Sequence, residues 1–250
     1  MNKSIMREIL SAVYKNYAKE LKEKCPQLLA DEYSNPHYVA IPDGWEEAHR
    51  RIMIVGKEGY GDLGSGKRDG LTVDDIVKIQ DTNKAIVEKI TDTKKDNRKF
   101  WQRFIKIAEN DCSCVWNNID KIFIKGKVKC SLGDAERIAL HSTSIKILQE
   151  EIKILKPQTV VFFGWYRQSL AAELPEIYKD FYENGNYIEF NKKIYKVSKD
   201  GINYIFSNHP SWRGRYKPAD YENNVITCVK EVLNGYKIIA VRSFQTLDTI

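Results

Sequence analysis

Apolar side chains recur at helical spacing along several long stretches of the chain. The first covers residues 2–24, and Pro26 follows it where the predicted helix ends. The same spacing predicts helices at residues 72–91, 100–110, 133–155, 165–174 and 220–233. A helix with one apolar face packs that face on a core. We therefore expect these helices to cover a common core.

Short apolar runs lie between the helices and predict strands. Residues 51–55 are rich in β-branched side chains and are closed by Gly56. Residues 159–164 read TVVFFG, a continuous apolar run typical of a strand that is buried on both faces. Further strands are predicted at residues 114–124, 187–190, 193–197 and 203–207, the last three linked by N-K and D-G turns. Strands that alternate with helices predict an α/β sandwich with a mostly parallel sheet.

Length and composition favour a single domain. The chain has 250 residues, of which 42% are apolar and 30% charged, enough to bury a sizeable core. We divide the domain into an N-terminal helix with an irregular lead-in (1–50), a core (51–233) and a C-terminal tail (234–250). No segment approaches the ~20 consecutive apolar residues that a membrane span needs, so no membrane is expected among its partners.

Charge and cysteine content indicate the type of partner, the cellular compartment and the prospect of a bound metal. Lys and Arg number 40 against 34 Asp and Glu, a formal net charge of +6 that suits a polyanionic partner without requiring one. The 5 cysteines include no C-x-x-C pair and follow no secretory leader, which favours reduced thiols in a cytoplasmic protein. Cys112, Cys114 and Cys130 could hold a metal, but their spacing fits neither a zinc finger nor a ferredoxin-type cluster. We expect no metal and no cofactor.

The stretch RIMIVGKEGYGDLGSGKRDG, residues 51–70, combines a strand with a glycine-rich turn. The turn has glycines at positions 59, 61, 64, 66 and 70. Such a turn lets the backbone approach a ligand closely and directs its N–H groups toward an anion such as a phosphate. Charged and aromatic groups occur in the same turn at Lys57, Glu58, Tyr60 and Asp62. Open α/β sheets bind ligands at such strand ends.

Polar groups follow the carboxyl ends of several predicted parallel strands. These ends lie along one edge of a sheet, so the groups should converge. The loops offer a carboxylate at Glu58, a carboxamide at Asn118 and an imidazole at His209. A basic aromatic loop adds Trp212, Arg213, Arg215 and Tyr216. Each group also has a structural explanation, since a strand-end glutamate is usually solvated, Asn117-Asn118 could form a bulge, and a single histidine is more often structural.

The order and spacing of these segments resemble the uracil-DNA glycosylase superfamily. GKEGYG (56–61) stands where that superfamily has its water-activating loop, and NHPS (208–211) stands where it has H-P-S. WNNIDK (116–121) is similar to the strand that carries its base-reading Asn, and LKPQTVVFFG (155–164) is similar to its third strand and the lead-in. The resemblance covers residues 51–233. It implies a three-layer sandwich with a central, mostly parallel four-stranded sheet.

The resemblance implies catalytic roles for three residues. Glu58 would activate water and stabilise an oxocarbenium-like sugar, Asn118 would read the Watson–Crick edge of a flipped base, and His209 would stabilise negative charge on the departing base. Preorganised groups of opposite sign suit a reaction that builds positive charge on the sugar and negative charge on the base. The implied substrate-binding residues are Gly56, Lys57, Gly59, Tyr60, Val73 and Asn117. The implied DNA-binding residues are Ser211, Trp212, Arg213 and Arg215.

The chain departs from the superfamily pattern in three places. The loop has Glu58 where Asp is best known and Gly59 where Pro is common. GLTV (70–73) places Val73 where the superfamily has an aromatic that stacks on uracil. Since stacking on an aromatic ring contributes about 1–3 kcal/mol per base, we expect a different or bulkier base than plain uracil, such as a modified pyrimidine. The cysteines also lack the iron–sulfur ligand set of some bacterial branches, which argues for a metal-free member.

The sequence therefore predicts a DNA glycosylase that flips and hydrolytically excises a uracil-like or modified base, leaving an abasic site, in base-excision repair or phage defence. Its partner would be DNA, and we expect a monomer. Two alternatives stay open. GDLGSGKR (61–68) matches the nucleotide-binding pattern G-x-x-x-x-G-K, but Arg68 replaces the Ser or Thr that would bind Mg²⁺. The other alternative is a glycosylase-like fold that binds nucleic acid or nucleotide without catalysis.

Overall fold

A computed structural model describes most of the predicted core of the chain. The described residues are 2–29, 33–56, 72–94, 96, 98–109, 113–123, 134–164, 188–191, 194–210 and 220–235. The predicted helix at 165–174 and the segment 236–250 of the tail lie outside them.

The described residues form one six-stranded sheet. Its strands are β1 (Arg51–Gly56), β2 (Ser113–Asn118), β3 (Thr159–Phe163), β4 (Ile188–Asn191), β5 (Ile194–Lys199) and β6 (Ile202–Ser207). Their order across the sheet is β2-β1-β3-β6-β5-β4. The first four strands in this order pair in parallel, and β5 and β4 continue the sheet with antiparallel pairing. The expectation of an α/β fold with a mostly parallel sheet is confirmed.

The predicted strand number of four is wrong, because β5 and β4 extend the parallel group beyond β6. The turn between β5 and β6 explains this extension. Asp200 and Gly201 both have positive φ angles, 52° and 75°, as a tight hairpin turn requires. Such a turn keeps the hairpin partner β5 in register beside β6, so the predicted short strands belong to the same sheet.

Strand β2 is also shorter than the predicted 114–124, because it ends at Asn118. The neighbouring strand β1 ends opposite it, with Gly56 in register with Asn118. The backbone N–H of Asn118 donates to the Asn117 side-chain oxygen at 2.8 Å. Hydrogen bonds from a backbone N–H to a nearby Asn side chain are typical of turns. The polar pair therefore turns the chain where the sequence pattern alone predicts further strand.

Five α-helices flank the sheet in the described part of the chain. They are α1 (Lys3–Lys24), α2 (Val73–Thr93), α3 (Lys99–Ala108), α4 (Asp134–Leu155) and α5 (Tyr221–Leu233). Thr72, where the predicted helix starts, is the N-cap of α2: its hydroxyl accepts the Asp75 N–H at 3.2 Å while Asp75 accepts the Thr72 N–H at 2.9 Å. This reciprocal cap satisfies backbone donors that a helix start leaves free. No described helix has the combination of length and apolar character needed to cross a membrane.

Two apolar clusters lie on the two faces of the sheet. In β1, Met53 and Val55 belong to the cluster that contains residues of α1 and α4. Ile52 and Ile54 belong to the cluster that contains residues of α3 and α5. Alternate side chains of a strand point to opposite faces, so a strand buried on both sides contributes to both clusters. The arrangement is compatible with a three-layer sandwich.

The irregular lead-in before β1 packs into the first of these clusters. Tyr38 and Trp45 are fully buried. Asn83 of α2 donates to the Tyr38 carbonyl at 2.7 Å, and the Trp45 indole donates to the Leu155 carbonyl at 3.0 Å. A side chain of α2 and a backbone carbonyl of α4 therefore supply hydrogen-bond partners to this irregular segment.

Candidate functional site

The carboxyl ends of the four parallel strands meet along one edge of the sheet. Gly56 of β1 is in register with Asn118 of β2, Val55 pairs with Phe162 of β3, and Phe163 pairs with Ser207 of β6. We call this edge the carboxyl edge. The loops that were predicted to carry the site begin there. Parallel α/β sheets bind ligands at this kind of edge.

Only part of the predicted site belongs to the described residues. Gly56, Val73, Asn117, Asn118 and His209 are described. The predicted residues that lie outside the described part are Lys57, Glu58, Gly59, Tyr60, Ser211, Trp212, Arg213 and Arg215. The phosphate-binding pattern at 61–68 lies outside it too.

Asn118 is buried at the end of β2, with 2% of its surface exposed. Its side-chain oxygen accepts a hydrogen bond from the Trp116 indole nitrogen at 3.2 Å. Its amide nitrogen Nδ2 is buried and has no hydrogen-bond partner among the described residues. A buried polar group without a hydrogen-bond partner lowers the stability of the folded state, so each such group needs an explanation. This amide has an open donor, which a ligand acceptor could fill.

Gly56 lies directly against Asn118. A Cβ atom added to Gly56 would be 2.8 Å from the Asn118 Oδ1 atom and 3.1 Å from the Phe100 ring. A side chain at this position would therefore displace both groups. Space, rather than an unusual backbone conformation, requires glycine here. The requirement also shows that the amide of Asn118 and the ring of Phe100 share one small region of the carboxyl edge.

Phe100, the second residue of α3, is the aromatic side chain beside this amide. Its half-buried ring packs edge-on against Phe163 at a centroid distance of 5.7 Å and against Trp101 at 5.1 Å. Val73, which was predicted to occupy the stacking position, begins α2 and is 40% exposed. Sequence reasoning missed Phe100 because it looks like an ordinary member of an apolar helix face.

Asn117 belongs to the other face of the sheet and is fully buried. Its Nδ2 donates to Glu151 at 2.8 Å, and its oxygen accepts from Lys121. It also accepts the Asn118 N–H. The side chain predicted to bind substrate is thus engaged inside the core, where it holds the backbone that carries Asn118.

Lys121 and Glu151 form a salt bridge with an N–O distance of 2.6 Å, and neither side chain is exposed to solvent. Tyr14 donates to the second Glu151 oxygen at 2.8 Å. Burial lowers the pKa of Lys121, while the adjacent Glu151 opposes that shift. A buried pair of this kind is stable only when further hydrogen bonds satisfy both ions. Helix α1, helix α4 and the turn after β2 are thereby tied together beneath Asn118.

His209 lies just beyond β6 and is half-buried. The residue before it is held firmly, because the Asn208 N–H donates to the Tyr221 hydroxyl at 2.8 Å. Arg103 of α3 donates to the Asn208 carbonyl at 3.0 Å and to the Ser207 hydroxyl at 3.3 Å. The start of the His209 loop therefore has a fixed position at the carboxyl edge.

Arg103 is a functional candidate that sequence reasoning missed. Its guanidinium is almost fully buried and also donates from Nε to Glu222 at 2.7 Å. It lies over the Phe163 ring, 4.6 Å from the centroid. Burial lowers the pKa of Arg103, but an arginine stays charged in proteins. Because Glu222 balances its charge, Arg103 contributes fixed hydrogen bonds to the base of the loop that carries His209.

Cysteines in the described residues do not form a metal centre. Cys25, Cys114 and Cys228 are buried, while Cys112 and Cys130 lie outside the described part. Burial raises the pKa of Cys228 to about 12, so this thiol remains protonated at neutral pH. No group of three or more potential ligands in the described residues could hold a metal ion.

A cleft of about 690 Å³ lies at the opposite edge of the sheet. Its basic lining residues are Arg51, Lys153, Lys156 and Lys199. Among them, Arg51 donates to the Glu46 carbonyl and Lys153 pairs with Glu150 at 2.7 Å. Lysines at the end of α4 also compensate the negative end of the helix dipole. These charges are explained by the fold.

Comparison of the chain with known protein families found no match, and comparison with curated proteins found none. The established conclusion is therefore a fold class: an α/β protein whose mostly parallel sheet is flanked by helices.

Proposed function

We propose that this protein is a DNA glycosylase that flips a uracil-like or modified base out of DNA and hydrolyses its N-glycosidic bond. The observation that carries the proposal is the Asn118 amide, which is buried at the carboxyl edge with an open donor beside the ring of Phe100. A donor beside an aromatic ring suits a flat heterocycle with hydrogen-bond acceptors on its edge. DNA is the partner in this proposal, and the setting is cytoplasmic repair or phage defence.

The proposed chemistry divides the developing charges between two loops. Glu58, which lies outside the described residues, orients a water whose oxygen bonds to the sugar C1′ while the C1′–N bond breaks. The electron pair of that bond leaves with the base. His209 stabilises the resulting negative charge, and Arg103, which is paired with Glu222, holds the start of its loop in place. The proton that the attacking water loses passes through Glu58 to the departed base, so the products are the free base and an abasic site.

Asn118 has a different role in this proposal, because it meets the edge of the neutral base rather than a charge that develops in the transition state. It contributes to selection of the base. The Lys121–Glu151 pair and Asn117 support it from below, and Arg103 supports the His209 loop from α3. The site would thus be built on strand ends and buried polar contacts, which fix geometry better than flexible loops do.

The test is single-turnover base release from oligonucleotides that carry different modified bases, with abasic sites revealed by alkali. We expect the wild type to release at least one base. Glu58→Gln should abolish release and largely keep DNA binding, because it removes the charge and not the size of the side chain. The control is Glu23→Gln on α1, where the side chain is 61% exposed. Base release by Glu58→Gln at the wild-type rate would contradict the mechanism.

A protein that binds these oligonucleotides tightly and releases no base would instead support the non-catalytic alternative. Equal loss of binding and release in Glu58→Gln would reject the division of roles between Glu58 and the binding residues.

A further inference from the structure

We propose that Trp116 fixes the orientation of the Asn118 amide and thereby decides which pyrimidine edge the site accepts. The inference rests on the proposed function, which it deepens by naming the residue that distinguishes 4-keto from 4-amino bases. Trp116 itself would not touch the substrate. It is a positioning residue that acts through Asn118.

The chemistry of the two side chains determines the orientation. A carboxamide has an acceptor oxygen and a donor nitrogen at nearly equivalent positions, and the two can exchange by rotation. An indole N–H can only donate. Because Trp116 Nε1 lies 3.2 Å from the Asn118 side chain, the atom that faces it must be the oxygen Oδ1. The nitrogen Nδ2 then occupies the remaining position, where no described residue accepts its hydrogens.

Trp116 is itself held on two sides. Trp116 is buried, with 8% of the residue exposed. Its ring packs against His37 at a centroid distance of 4.3 Å and edge-on against Trp101 at 4.9 Å. Its carbonyl interacts with the His37 Nε2 at 3.2 Å. Rotation of the indole away from Asn118 would disrupt this packing. The indole N–H is therefore a fixed donor, and the amide must adapt to it.

Gly56 adds a second constraint on the same oxygen. The Oδ1 atom lies 2.8 Å from the position that a Cβ of Gly56 would occupy, so the amide is packed closely against the backbone of β1. The Asn118 backbone N–H is also engaged, by Asn117. The side chain therefore has little freedom to turn, and the donor Nδ2 is the amide atom left to meet a base.

A fixed amide distinguishes two kinds of pyrimidine. On the Watson–Crick edge, a uracil-type base has a carbonyl at position 4 beside a ring N–H, whereas a cytosine-type base has an amino group beside a bare ring nitrogen. The two patterns are reversed, so one amide orientation can match only one of them. The mismatched base brings a donor against Nδ2, and a buried donor without an acceptor is strongly disfavoured.

The experiment compares two oligonucleotides whose target bases differ only at position 4 and in the hydrogen on the adjacent ring nitrogen, 5-hydroxymethyluracil and 5-hydroxymethylcytosine. The measured quantity is the ratio of their single-turnover excision rates. We expect the wild type to prefer 5-hydroxymethyluracil by about 100-fold or more, because its 4-keto oxygen can accept from Asn118 Nδ2 and a 4-amino group cannot. Trp116→Phe keeps a ring in the cluster but removes the indole N–H. It should lower this ratio at least about tenfold, because both amide orientations become available.

Trp45→Phe is the matched control, since Trp45 is a buried tryptophan of the other apolar cluster whose indole N–H also donates a hydrogen bond, to the Leu155 carbonyl at 3.0 Å. Its ratio should equal that of the wild type, although its stability falls. A wild-type ratio in Trp116→Phe would overturn the inference. Asn118→Ala provides a second variant in case Trp116→Phe does not fold. It should abolish the preference, and an unchanged ratio in Asn118→Ala would also overturn the inference.

A binding measurement separates this inference from the proposed activity. The affinities of both oligonucleotides are measured with Glu58→Gln, with and without Trp116→Phe. If the wild type releases no base but the affinity ratio changes with Trp116, the activity fails and the inference stands. If the wild type excises bases and neither ratio depends on Trp116, the inference alone fails. Absence of both release and base-dependent binding rejects both.

Discussion

Single polar residues at the strand ends show what a sequence can and cannot predict at this scale. The place of Asn118 at the carboxyl edge could be predicted, because the polar pair follows an apolar run. Lys121 and His37 could not, because a lone lysine or histidine usually lies in solvent. Both are fully buried, and the residues that satisfy them come from distant parts of the chain, as with Glu151 beside Lys121. Tertiary partners of this kind leave no local pattern.

His37 gives a prediction about acid stability. Burial, with a smaller effect from the Lys121 charge, lowers the pKa of His37 to about 3. The unfolded chain binds the proton near pH 6.5, so between these values only the unfolded state is protonated at this residue. The free energy of unfolding should therefore fall by about 1.4 kcal/mol for each pH unit below about 6.5 through this residue alone.

His37→Gln removes the titrating ring and keeps an amide N–H for the Trp116 carbonyl. Urea unfolding at pH 7.5 and pH 4.5 should show a loss of stability on acidification that is about 3 kcal/mol smaller in His37→Gln than in the wild type. His49→Gln, at an exposed position, is the matched control. Equal acid sensitivity in His37→Gln and the wild type would show that the buried imidazole does not couple folding to pH.

At the scale of elements, periodicity predicted the described helices and the parallel strands well, because each repeats an apolar pattern over many residues. It failed where a side chain competes with the backbone, as at Asn117, which ends β2 early. It also failed to predict the role of α3. Arg103 looks like a solvated charge in an amphipathic helix, yet it connects α3 to the end of β6 and to α5.

Arg103→Lys tests this connection between elements. Lysine keeps the charge but cannot donate at once to the Asn208 carbonyl, the Ser207 hydroxyl and Glu222 as the guanidinium does. We expect the free energy of unfolding to fall by about 1–3 kcal/mol, since buried acceptors lose their donor. Base release should slow as well, because the start of the His209 loop loosens. Chemical unfolding and single-turnover rates measure the two effects.

Arg98→Lys is the control, because Arg98 immediately precedes α3 and its pair with Asp96 is largely exposed on the arginine side. Exposed pairs contribute little, so its stability should stay within about 0.5 kcal/mol of the wild type. Similar losses in both variants would mean that charge near α3, and not the buried fork of Arg103, accounts for the effect.

At the scale of the whole molecule, the sequence predicted the alternating order of strands and helices but not how the first fifty residues join the sheet. The lead-in has several prolines and no periodicity, so nothing local indicates that Tyr38 and Trp45 are buried. Helix α1 was predicted to lie outside the region of resemblance. It packs on α4 and contributes residues to the cluster that covers one face of the sheet. The fold therefore depends on contacts between elements that are far apart in the sequence, such as α1 and α4.

Two adjacent residues of α1 test this dependence. Leu10 is fully buried in the cluster, whereas Ile9 is 39% exposed. Leu10→Ala should lower the free energy of unfolding by about 2–5 kcal/mol, because it removes buried apolar atoms and leaves a cavity. Ile9→Ala should cost less than about 1 kcal/mol, since its side chain leaves little space behind. Urea unfolding of both variants measures the difference.

If α1 lay outside a core that begins at β1, the two substitutions would have equally small effects on the free energy of unfolding, and neither would change base release. If α1 belongs to the core, Leu10→Ala should also weaken the contact one turn further along, where Tyr14 supports Glu151 beneath Asn118.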